Sequence, residues 1–305
     1  DNTVDIIKKY SSRISYWISE PDKGQSDAIN KGFLKASGDI INWINSDDYY
    51  APGTFENLAA SFLEKSTKAV TTKVHNFEEE GAEWDELTSR LNSNVDYIAR
   101  SFNNQPGTYF RKEVWNRYFP LPKQLRYTMD QYLWFCFWLE HNTSAFKTED
   151  YTTVFFRRHA QSKTSASLTE SVFHHLGKVF FNEHNLIFWS FFVDRDATKA
   201  NVLSSYFCDN FDYKSKKVSF PEILKIDESQ SELLFQVYLF EMLKEDFKLG
   251  FFERLKANLT YLNRGLLIKA ERREVIKMCV AVNNQKVFRA YRQFYWKFKF
   301  FVRKR

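Results

Sequence analysis

The chain has 305 residues, enough for one large domain or two ordinary ones with separate cores. Hydrophobic residues make up 44% and charged residues 27%, which excludes a disordered tail or linker. No uninterrupted apolar stretch reaches the length of about 18 residues that a membrane-spanning helix requires, so no span is predicted. The net charge of +6 is unaccompanied by any nucleic-acid recognition motif, and we predict no nucleic-acid partner.

The first half of the chain, to about residue 165, alternates between helix and strand patterns. In chain order we predict a helix in TVDIIKKYSS (3–12), a strand in ISYWIS (14–19), a helix in QSDAINKGFLKAS (25–37), a strand in DIINWIN (39–45), a helix in GTFENLAASFLEK (53–65), the segments AVTTKVHNF (69–77) and GTYFRKEVWNRY (107–118), a helix in TMDQYLWFCFWLEH (128–141) and a strand in YTTVFFRRH (151–159). Such alternation predicts an α/β layered sheet with parallel strands, mixed and less regular in its second part.

After about residue 166 the strand signals fade, and we predict helices in SLTESVFHHLGKVFFNEHNLIFWSFF (167–192), ESQSELLFQVYLFEMLKEDF (228–247) and FFERLKANLTYLNRGLLIKAERREVIKMCVAV (251–282). The final segment, KVFRAYRQFYWKFKFFVRKR (286–305), combines a stripe of aromatic and aliphatic residues with basic residues and no acid. An amphipathic helix of this kind suits an anionic membrane surface, although a helix packed on its own domain has the same pattern. The three cysteines, Cys136, Cys208 and Cys279, are far apart and form no CxxC pair, which predicts reduced core residues of a cytosolic protein.

The most unusual local feature is a pair of acids at the end of a predicted strand. The apolar run from Ile40 ends in Asn45, Ser46, Asp47 and Asp48. Ligands of an open parallel sheet collect beyond the carboxyl ends of its strands, and Mg²⁺ is commonly held there by one or two carboxylates and by substrate phosphates. The sequence therefore predicts a metal-diphosphate site, with an ordinary turn or helix cap as the alternative.

Four blocks in order carry a resemblance to a known family. They are SEPDKGQSDAINKGFLKASGDIINWINSDDYYAPGTFE (19–56), QPGTYFRKEVW (105–115), YTMDQYLW (127–134) and FFRRHAQSKT (155–164). Together they resemble the bacterial family 2 glycosyltransferases of the GT-A fold. The resemblance implies a Rossmann-like mixed α/β sheet flanked by helices over residues 1–165, followed by a helical region over residues 166–305 that ends in the basic amphipathic helix.

The resemblance also implies a metal site. The family's Asp-x-Asp motif falls on Asn45, Ser46 and Asp47, and Asp48 follows. Because Asn45 replaces the first acid, Asp47 is the expected direct ligand of Mg²⁺ or Mn²⁺, with Asp48 assisting. His159 aligns with a family histidine that contacts the metal or the diphosphate; a surface residue opening a polar loop is the alternative.

The family's catalytic base matches Asp130. The residue lies in the first turn of a predicted helix after Thr128, an expected N-cap, where the helix dipole favours an ionised carboxylate. An ionised carboxylate can accept the proton of an attacking sugar hydroxyl. Without the resemblance, an ordinary first-turn acid would be the preferred interpretation.

Further residues take roles from the resemblance alone. The donor-binding set is Asp22, Lys23, Asn30, Asn45, Ser46 and Arg158, and the acceptor side is Gln105 and Gly107. Trp134 and Trp138, at helical spacing, are predicted core residues rather than a sugar platform.

The implied activity is an inverting transfer from a nucleotide-sugar, expected to be a UDP-sugar, to a glycan or lipid-linked acceptor in surface polysaccharide synthesis. We expect the protein to be cytoplasmic and peripheral on the inner face of the membrane, held by residues 286–305. The chain begins where the family's first strand and loop would end, so we take it to be a fragment of a longer domain. The alternative is a non-catalytic relative that acts as a scaffold at the membrane surface.

Overall fold

The computed structural model describes residues 2–78, 81–88, 90–100, 104–159 and 170–284. The predicted boundary between the two regions, at residue 165, and the basic segment 286–305 lie outside the described residues. Within the described part of the chain, no helix is long and apolar enough to cross a membrane.

Helices flank the sheet in the first half and make up the second half. They are α1 (Thr3–Lys9), α2 (Gln25–Lys35), α3 (Thr54–Ser61), α4 (Asn94–Arg100), α5 (Lys112–Tyr118), α6 (Met129–Glu140), α7 (Glu170–Phe192), α8 (Ala197–Ser204), α9 (Glu228–Leu249), α10 (Phe252–Leu259) and α11 (Lys269–Asn283). The helical C-terminal region is therefore confirmed. Its α8 is an element that the sequence patterns did not predict.

A single mixed sheet forms the centre of the first half. Its strands are β1 (Ile40–Ile41), β2 (Tyr49–Tyr50), β3 (Ala69–Glu78), β4 (Glu83–Glu86), β5 (Thr108–Arg111) and β6 (Phe146–Arg158). The order is β1-β5-β3-β6-β2, with β4 also beside β3. Strands β3 and β6 run parallel, whereas the other described pairs are antiparallel. The predicted mixed sheet flanked by helices is thus confirmed.

Two predicted strands differ from the structure. Segment ISYWIS (14–19) forms no strand, and Tyr16, Trp17 and Ile18 are exposed. Alternating apolar residues do not suffice where no neighbouring strand supplies hydrogen bonds, and this segment has no ladder partner among the described residues. Segment DIINWIN shortens to β1 because side chains compete for its backbone, as the Trp43 carbonyl oxygen accepts from Gln105 Nε2 at 2.6 Å.

The core of the sheet centres on helix α6, which is apolar around its whole circumference. Residues 132–138 are all buried, among them Trp134 and Trp138, so the prediction that these tryptophans are core residues is confirmed. A helix without a polar face must be covered on all sides. The same core cluster extends from Ile41 to Met278, so packing is continuous between the sheet and the C-terminal helices.

The three cysteines are free thiols. Cys136 lies in the buried core on α6, while Cys208 and Cys279 are half-buried. The predicted core position therefore holds fully for Cys136 and in part for the other two.

Candidate functional site

The acidic pair forms a tight turn between β1 and β2. Within it, the backbone N–H of Asp48 donates to the Asn45 carbonyl oxygen at 3.2 Å, and Asn45 Nδ2 donates to Asp48 Oδ2 at 3.2 Å. The other carboxylate oxygen of Asp48 accepts from the backbone N–H of Arg157 at 3.1 Å. Asp48, only 8% exposed, therefore ties the turn to the end of β6.

Burial changes the chemistry of Asp48. Removal from water raises the pKa of Asp48 to about 6, and repulsion from the neighbouring Asp47 carboxylate adds to the rise, while the N–H donor of Arg157 opposes it. A carboxylate in this position gains more than an exposed one from any cation that approaches the turn.

Asp47 is the accessible acid of the pair, and it contacts His159. Its Oδ2 lies 2.9 Å from His159 Nε2, and each side chain is 31% exposed. The turn after β1 and the end of β6 therefore bring together two residues that are far apart in sequence. This is the pair that the resemblance assigned to the metal or the diphosphate.

The donor set constrains what metal could bind. Among the described residues, no group of three or more His, Cys, Asp or Glu side chains is arranged to hold a metal ion. Asp47 and His159 supply one carboxylate oxygen and one imidazole nitrogen. Such a set fits an ion that takes most of its ligands from substrate phosphates and water, as Mg²⁺ commonly does, and does not fit a closed structural site.

Helix α2 connects this turn to the loop that precedes α6. Gln25 Nε2 donates to Asn45 Oδ1 at 3.1 Å, and the hydroxyl of the next residue, Ser26, donates to the Leu125 carbonyl oxygen at 2.8 Å. The helix begins at Gly24, whose φ of 108° favours glycine. The first turn of α2 therefore anchors both candidate regions at once.

Asn30 continues that contact one turn later. Its Nδ2 donates to the Leu121 carbonyl oxygen and its Oδ1 accepts from the Leu121 backbone N–H, both at 2.9 Å. The residue is 5% exposed. The observed role of this predicted donor-binding residue is thus to hold the loop before α6.

The remaining predicted donor residues are more exposed. Asp22 Oδ1 accepts from the Gly24 N–H at 2.8 Å, and the Lys23 N–H donates to Asp27 Oδ2 at 3.0 Å. Asp22 also borders a cavity of about 260 Å³ lined by Tyr16, Trp17, Ile18, Glu20, Ala28, Lys31 and Gly32. Ser46 lies exposed at the tip of the acidic turn.

The side chain of Arg158, at the end of β6, contacts residues of β3 and β4. Its Nε donates to Asn76 Oδ1 at 3.2 Å, and its guanidinium carbon lies 5.4 Å from the Trp84 ring centroid and 5.3 Å from that of Phe156. Successive residues of a strand point to opposite faces, so Arg157 and Arg158 diverge. In this arrangement the guanidinium of Arg158 is held by the β3–β4 hairpin.

The two predicted acceptor-side residues lie against neighbouring strands, Gln105 beside the residues that follow β1 and Gly107 beside β3. Gln105 Nε2 donates to Asn42 Oδ1 at 3.2 Å as well as to the Trp43 carbonyl oxygen. At Gly107 a side chain has no room, because a Cβ would lie 2.6 Å from Val74 Cγ2 and 2.9 Å from the Thr72 carbonyl oxygen. Glycine is thus required at this position by close packing.

Asp130 lies in the first turn of α6. Its Oδ1 accepts from the Gln131 N–H at 2.9 Å. Burial raises the pKa of Asp130 to about 6, with a smaller contribution from the Glu183 carboxylate. Desolvation therefore outweighs the hydrogen bonds that Asp130 accepts in this first turn, which lower the pKa. The carboxyl remains largely ionised at neutral pH.

Three contributing residues were missed in the sequence, and each acts at long range. Gln25 and Ser26 open an amphipathic helix, where polar residues are usually solvated. Glu183, on α7, lies in an unbroken helical pattern and binds the backbone N–H groups of the residues just before α6, whereas the side chain of the predicted cap, Thr128, makes no capping bond. No local signal distinguishes Glu183 from a surface acid.

Comparisons with known proteins bear on the family resemblance and on the fold. Residues 1–136 match the model of glycosyl transferase family 2. Two uncharacterized glycosyltransferases of Mycobacterium tuberculosis, from strains CDC 1551 and H37Rv, are each 37% identical over 51 residues, or 17% of this chain. The matched segment spans 20% of the length of each relative.

Solved structures share the fold over nearly the whole chain. S. aureus TarS 1–349 in complex with UDP-GlcNAc superposes with a TM-score of 0.57 and 14% identity, covering 96% of this chain and 80% of that one. The complex of the same protein with UDP gives a TM-score of 0.53 and 14% identity, covering 96% and 79%. At this identity the likeness shows the fold, and the family match rests on residues 1–136, which include the acidic turn and Asp130. Those residues match glycosyl transferase family 2, which confirms the resemblance seen in the sequence.

Proposed function

We propose that this protein is an inverting glycosyltransferase that moves a sugar from a nucleotide-sugar to a hydroxyl group of an acceptor. The observation that carries the proposal is the shared anchor in α2. Gln25 binds the acidic turn at Asn45, and Ser26 binds the loop before Asp130. The candidate diphosphate site and the loop that leads to the candidate base therefore contact the same helix, which supports a reaction between two substrates held in a fixed relation.

For the donor we propose a UDP-sugar. The family match supports a nucleotide-sugar, and the S. aureus TarS structures that share the fold hold UDP and UDP-GlcNAc. We assign the diphosphate to the acidic turn, where Asp47 is accessible and Asp48 is braced by the N–H of Arg157. The sugar itself is left open.

Asp47 and His159 are the residues that would hold a Mg²⁺ or Mn²⁺ ion beside the diphosphate. Bound there, the ion would offset the negative charge that grows on the leaving nucleotide. His159 Nε2 holds the Asp47 carboxylate at 2.9 Å and so fixes its orientation. Asp48 keeps the whole turn seated on β6 through the Arg157 N–H.

Asp130 is the proposed general base. Its carboxylate takes the proton of the acceptor hydroxyl while the hydroxyl oxygen forms a bond to the anomeric carbon. The bond between that carbon and the diphosphate oxygen breaks, and the nucleotide leaves with the electron pair. A single displacement of this kind inverts the anomeric centre. The pKa of about 6 suits a base that must be ionised near neutral pH and still accept a proton.

For the acceptor we propose a glycan or a lipid-linked glycan of a surface polysaccharide, reached at the cytoplasmic face of the membrane. The support is the sequence pattern of residues 286–305, in which basic and aromatic residues recur without an acid. Basic residues near an anionic surface attract it, and aromatic residues settle at the headgroup level.

A non-catalytic scaffold is the second candidate, and Asn45 is the observation that favours it. The family's first acid is replaced there by an amide whose two ends are occupied by Gln25 and Asp48. A protein with such a degenerate site would have the glycosyltransferase fold but would not transfer a sugar. The two candidates differ in a single measurable property, which is turnover of a donor.

The test is nucleotide release from a panel of UDP-sugars with Mn²⁺. We expect release by the wild type and losses of roughly 100-fold or more in Asp130→Asn, the range for a general base. Asp47→Ala should lose activity by a similar factor through weakened charge stabilisation. Unaltered release in both variants, or none by the wild type with any donor, would refute the assignment.

Two control variants are matched in chemistry. Asp85→Ala breaks another Asp–His pair of the sheet, in which Asp85 Oδ1 lies 2.8 Å from His75 Nδ1. Glu113→Gln changes a first-turn acid of α5 whose side chain is 62% exposed. Both should retain wild-type release, because neither residue contacts the acidic turn or the loop before α6.

A further inference from the structure

Glu183, on helix α7, is a buried carboxylate that binds the backbone of another helix. It is 3% exposed. Glu183 Oε2 accepts from the N–H of Tyr127 at 2.8 Å, from the N–H of Thr128 at 3.1 Å and from the Thr128 hydroxyl at 3.3 Å. Both of its oxygens also accept from the N–H of Arg126, at 3.0 and 3.1 Å. Three consecutive backbone donors therefore converge on one side chain.

The three N–H groups belong to the turn that leads into α6, whose N-cap residue is Thr128. Backbone N–H groups that are buried outside a helix or sheet ladder need another acceptor. Thr128 makes no capping bond with its own side chain, and its N–H and hydroxyl both donate to the carboxylate from α7. Burying a carboxylate is costly, and bonds from several N–H groups offset that cost.

The loop before α6 is also held by a second helix, α2. Asn30 and Ser26 of α2 bind Leu121 and Leu125, and Glu183 of α7 binds the three residues that follow. Asp130 comes two residues after the last of these contacts. The direction of its side chain is set by the first turn of α6, whose start is fixed by Glu183.

We propose that Glu183 is a positioning residue for glycosyl transfer, which holds the first turn of α6 so that the Asp130 carboxylate meets the acceptor hydroxyl. The inference rests on the proposed function, since it takes Asp130 to be the base. In this role a residue of the C-terminal helical region would contribute to the geometry of the reaction centre. Glu183 lies beyond the residues that the family model matches.

A purely structural role predicts a different result. In that case the loss of the Glu183 charge would lower the free energy of unfolding, but the folded enzyme would turn over at the wild-type rate. A positioning role predicts a lower kcat in protein that is still folded, because misplacement of a catalytic group by about 1 Å can cost roughly 100-fold in rate. The two roles therefore separate in kcat measured per folded molecule.

The experiment compares Glu183→Gln and Glu183→Asp with the wild type, using UDP-GlcNAc and Mn²⁺ and measuring nucleotide release. In Glu183→Gln the shape is kept and the charge is lost; we expect kcat to fall roughly 10- to 100-fold with KM for the donor nearly unchanged. In Glu183→Asp the charge is kept, but the side chain is one methylene shorter and the carboxylate lies further from the N–H groups of residues 126–128. We expect an intermediate kcat. Hydrogen exchange at the amides of residues 126–128 should be faster in both variants.

Glu140→Gln is the matched control at the other end of α6. Glu140 Oε2 accepts from the Tyr118 hydroxyl at 2.7 Å, so its loss should lower the melting temperature and leave kcat unchanged. Should Glu183→Gln not fold, Glu183→Asp decides the question, and a wild-type kcat in that folded variant with faster exchange at residues 126–128 would overturn the proposal.

Asp130→Asn distinguishes a failure of the positioning role of Glu183 from a failure of Asp130 as the general base. If Asp130→Asn is inactive and the folded Glu183 variants have wild-type kcat, the positioning role is refuted and the proposed function stands. If Asp130→Asn has full activity, the base assignment and the positioning role fall together.

Discussion

Gln25 Nε2 donates a hydrogen bond of 3.1 Å to Asn45 Oδ1, and so joins the start of α2 to the turn that carries Asp47 and Asp48. The neighbouring residue, Ser26, donates to Leu125 in the loop before α6. Two regions separated by about 80 residues of sequence thus share an anchor two residues long. The polar residues at the start of α2 are better explained by this double contact than by solvation.

The anchor can be tested at Ser26, which is 2% exposed. Ser26→Ala leaves the Leu125 carbonyl oxygen without this donor, and we expect a loss of about 1–3 kcal/mol in the free energy of unfolding, measured in urea. Nucleotide release by the folded variant should also fall several-fold, because the loop before Asp130 loses a support. Ser37→Ala, at an exposed position after α2, is the control, and equal effects in the two variants would contradict the anchor.

Nucleotide release should depend on pH through Asp130. Its pKa is raised to about 6 by burial, so below that pH the carboxyl is protonated and cannot accept the hydroxyl proton. We expect kcat, at saturating donor and Mn²⁺, to fall about tenfold per pH unit below pH 6 and to level off above pH 7. A kcat that stays constant down to pH 5, in protein that fluorescence shows to be folded, would contradict the role of Asp130 as base.

Gly107 should tolerate no side chain. In Gly107→Ala the new Cβ would meet Val74 Cγ2 at 2.6 Å and the Thr72 carbonyl oxygen at 2.9 Å. We expect destabilisation of roughly 1–3 kcal/mol or more, from thermal or urea unfolding. The control is Gly177→Ala on α7, where a Cβ would meet no atom within 4 Å. Alanine is the better helix former there and should stabilise by about 0.5–1 kcal/mol. The same sign in both variants would argue against the packing described around Gly107.

Arg100 should be a strong link between the sheet region and the C-terminal helices. From α4 it donates to Asp96 at 2.6 Å and to Glu241 on α9 at 2.9 Å, and it also pairs with Glu271 on α11. Arg100→Ala leaves three carboxylates without their guanidinium, of which Glu271 is buried, and this should cost about 3 kcal/mol of unfolding free energy. Lys277→Ala, which breaks a more exposed pair with Glu274, should cost less than about 0.5 kcal/mol. Similar losses in both variants would contradict the linking role.

The sequence predicted those elements whose signals are local. Helix α2 follows from apolar periodicity, helix α6 from a long apolar run, and β3 and β6 from runs rich in β-branched and aromatic residues. The acidic turn was found because Asp47 and Asp48 stand together where an apolar run ends. Each of these signals lies within about ten residues of chain.

The features that were wrong or missed depend on distant partners. Segment 14–19 has the alternation of a strand but no neighbouring strand among the described residues, and β1 is cut short because Gln105 takes a carbonyl oxygen that a longer ladder would use. The contact of Glu183 with the N–H groups of residues 126–128 depends on α7 packing against the loop before α6, and the low exposure of Asp48 depends on β6. None of these partners is near in sequence, so no pattern in a short window could reveal them.

Asp47 is the proposed ligand of the cation that accompanies the donor diphosphate. The anomalous scattering of Mn²⁺ in crystals of the protein grown with UDP would locate that cation. We expect one strong peak whose nearest protein group is the Asp47 carboxylate and whose other neighbours include the diphosphate of UDP. A peak away from the turn at residues 45–48, or UDP bound elsewhere on the protein, would contradict this assignment.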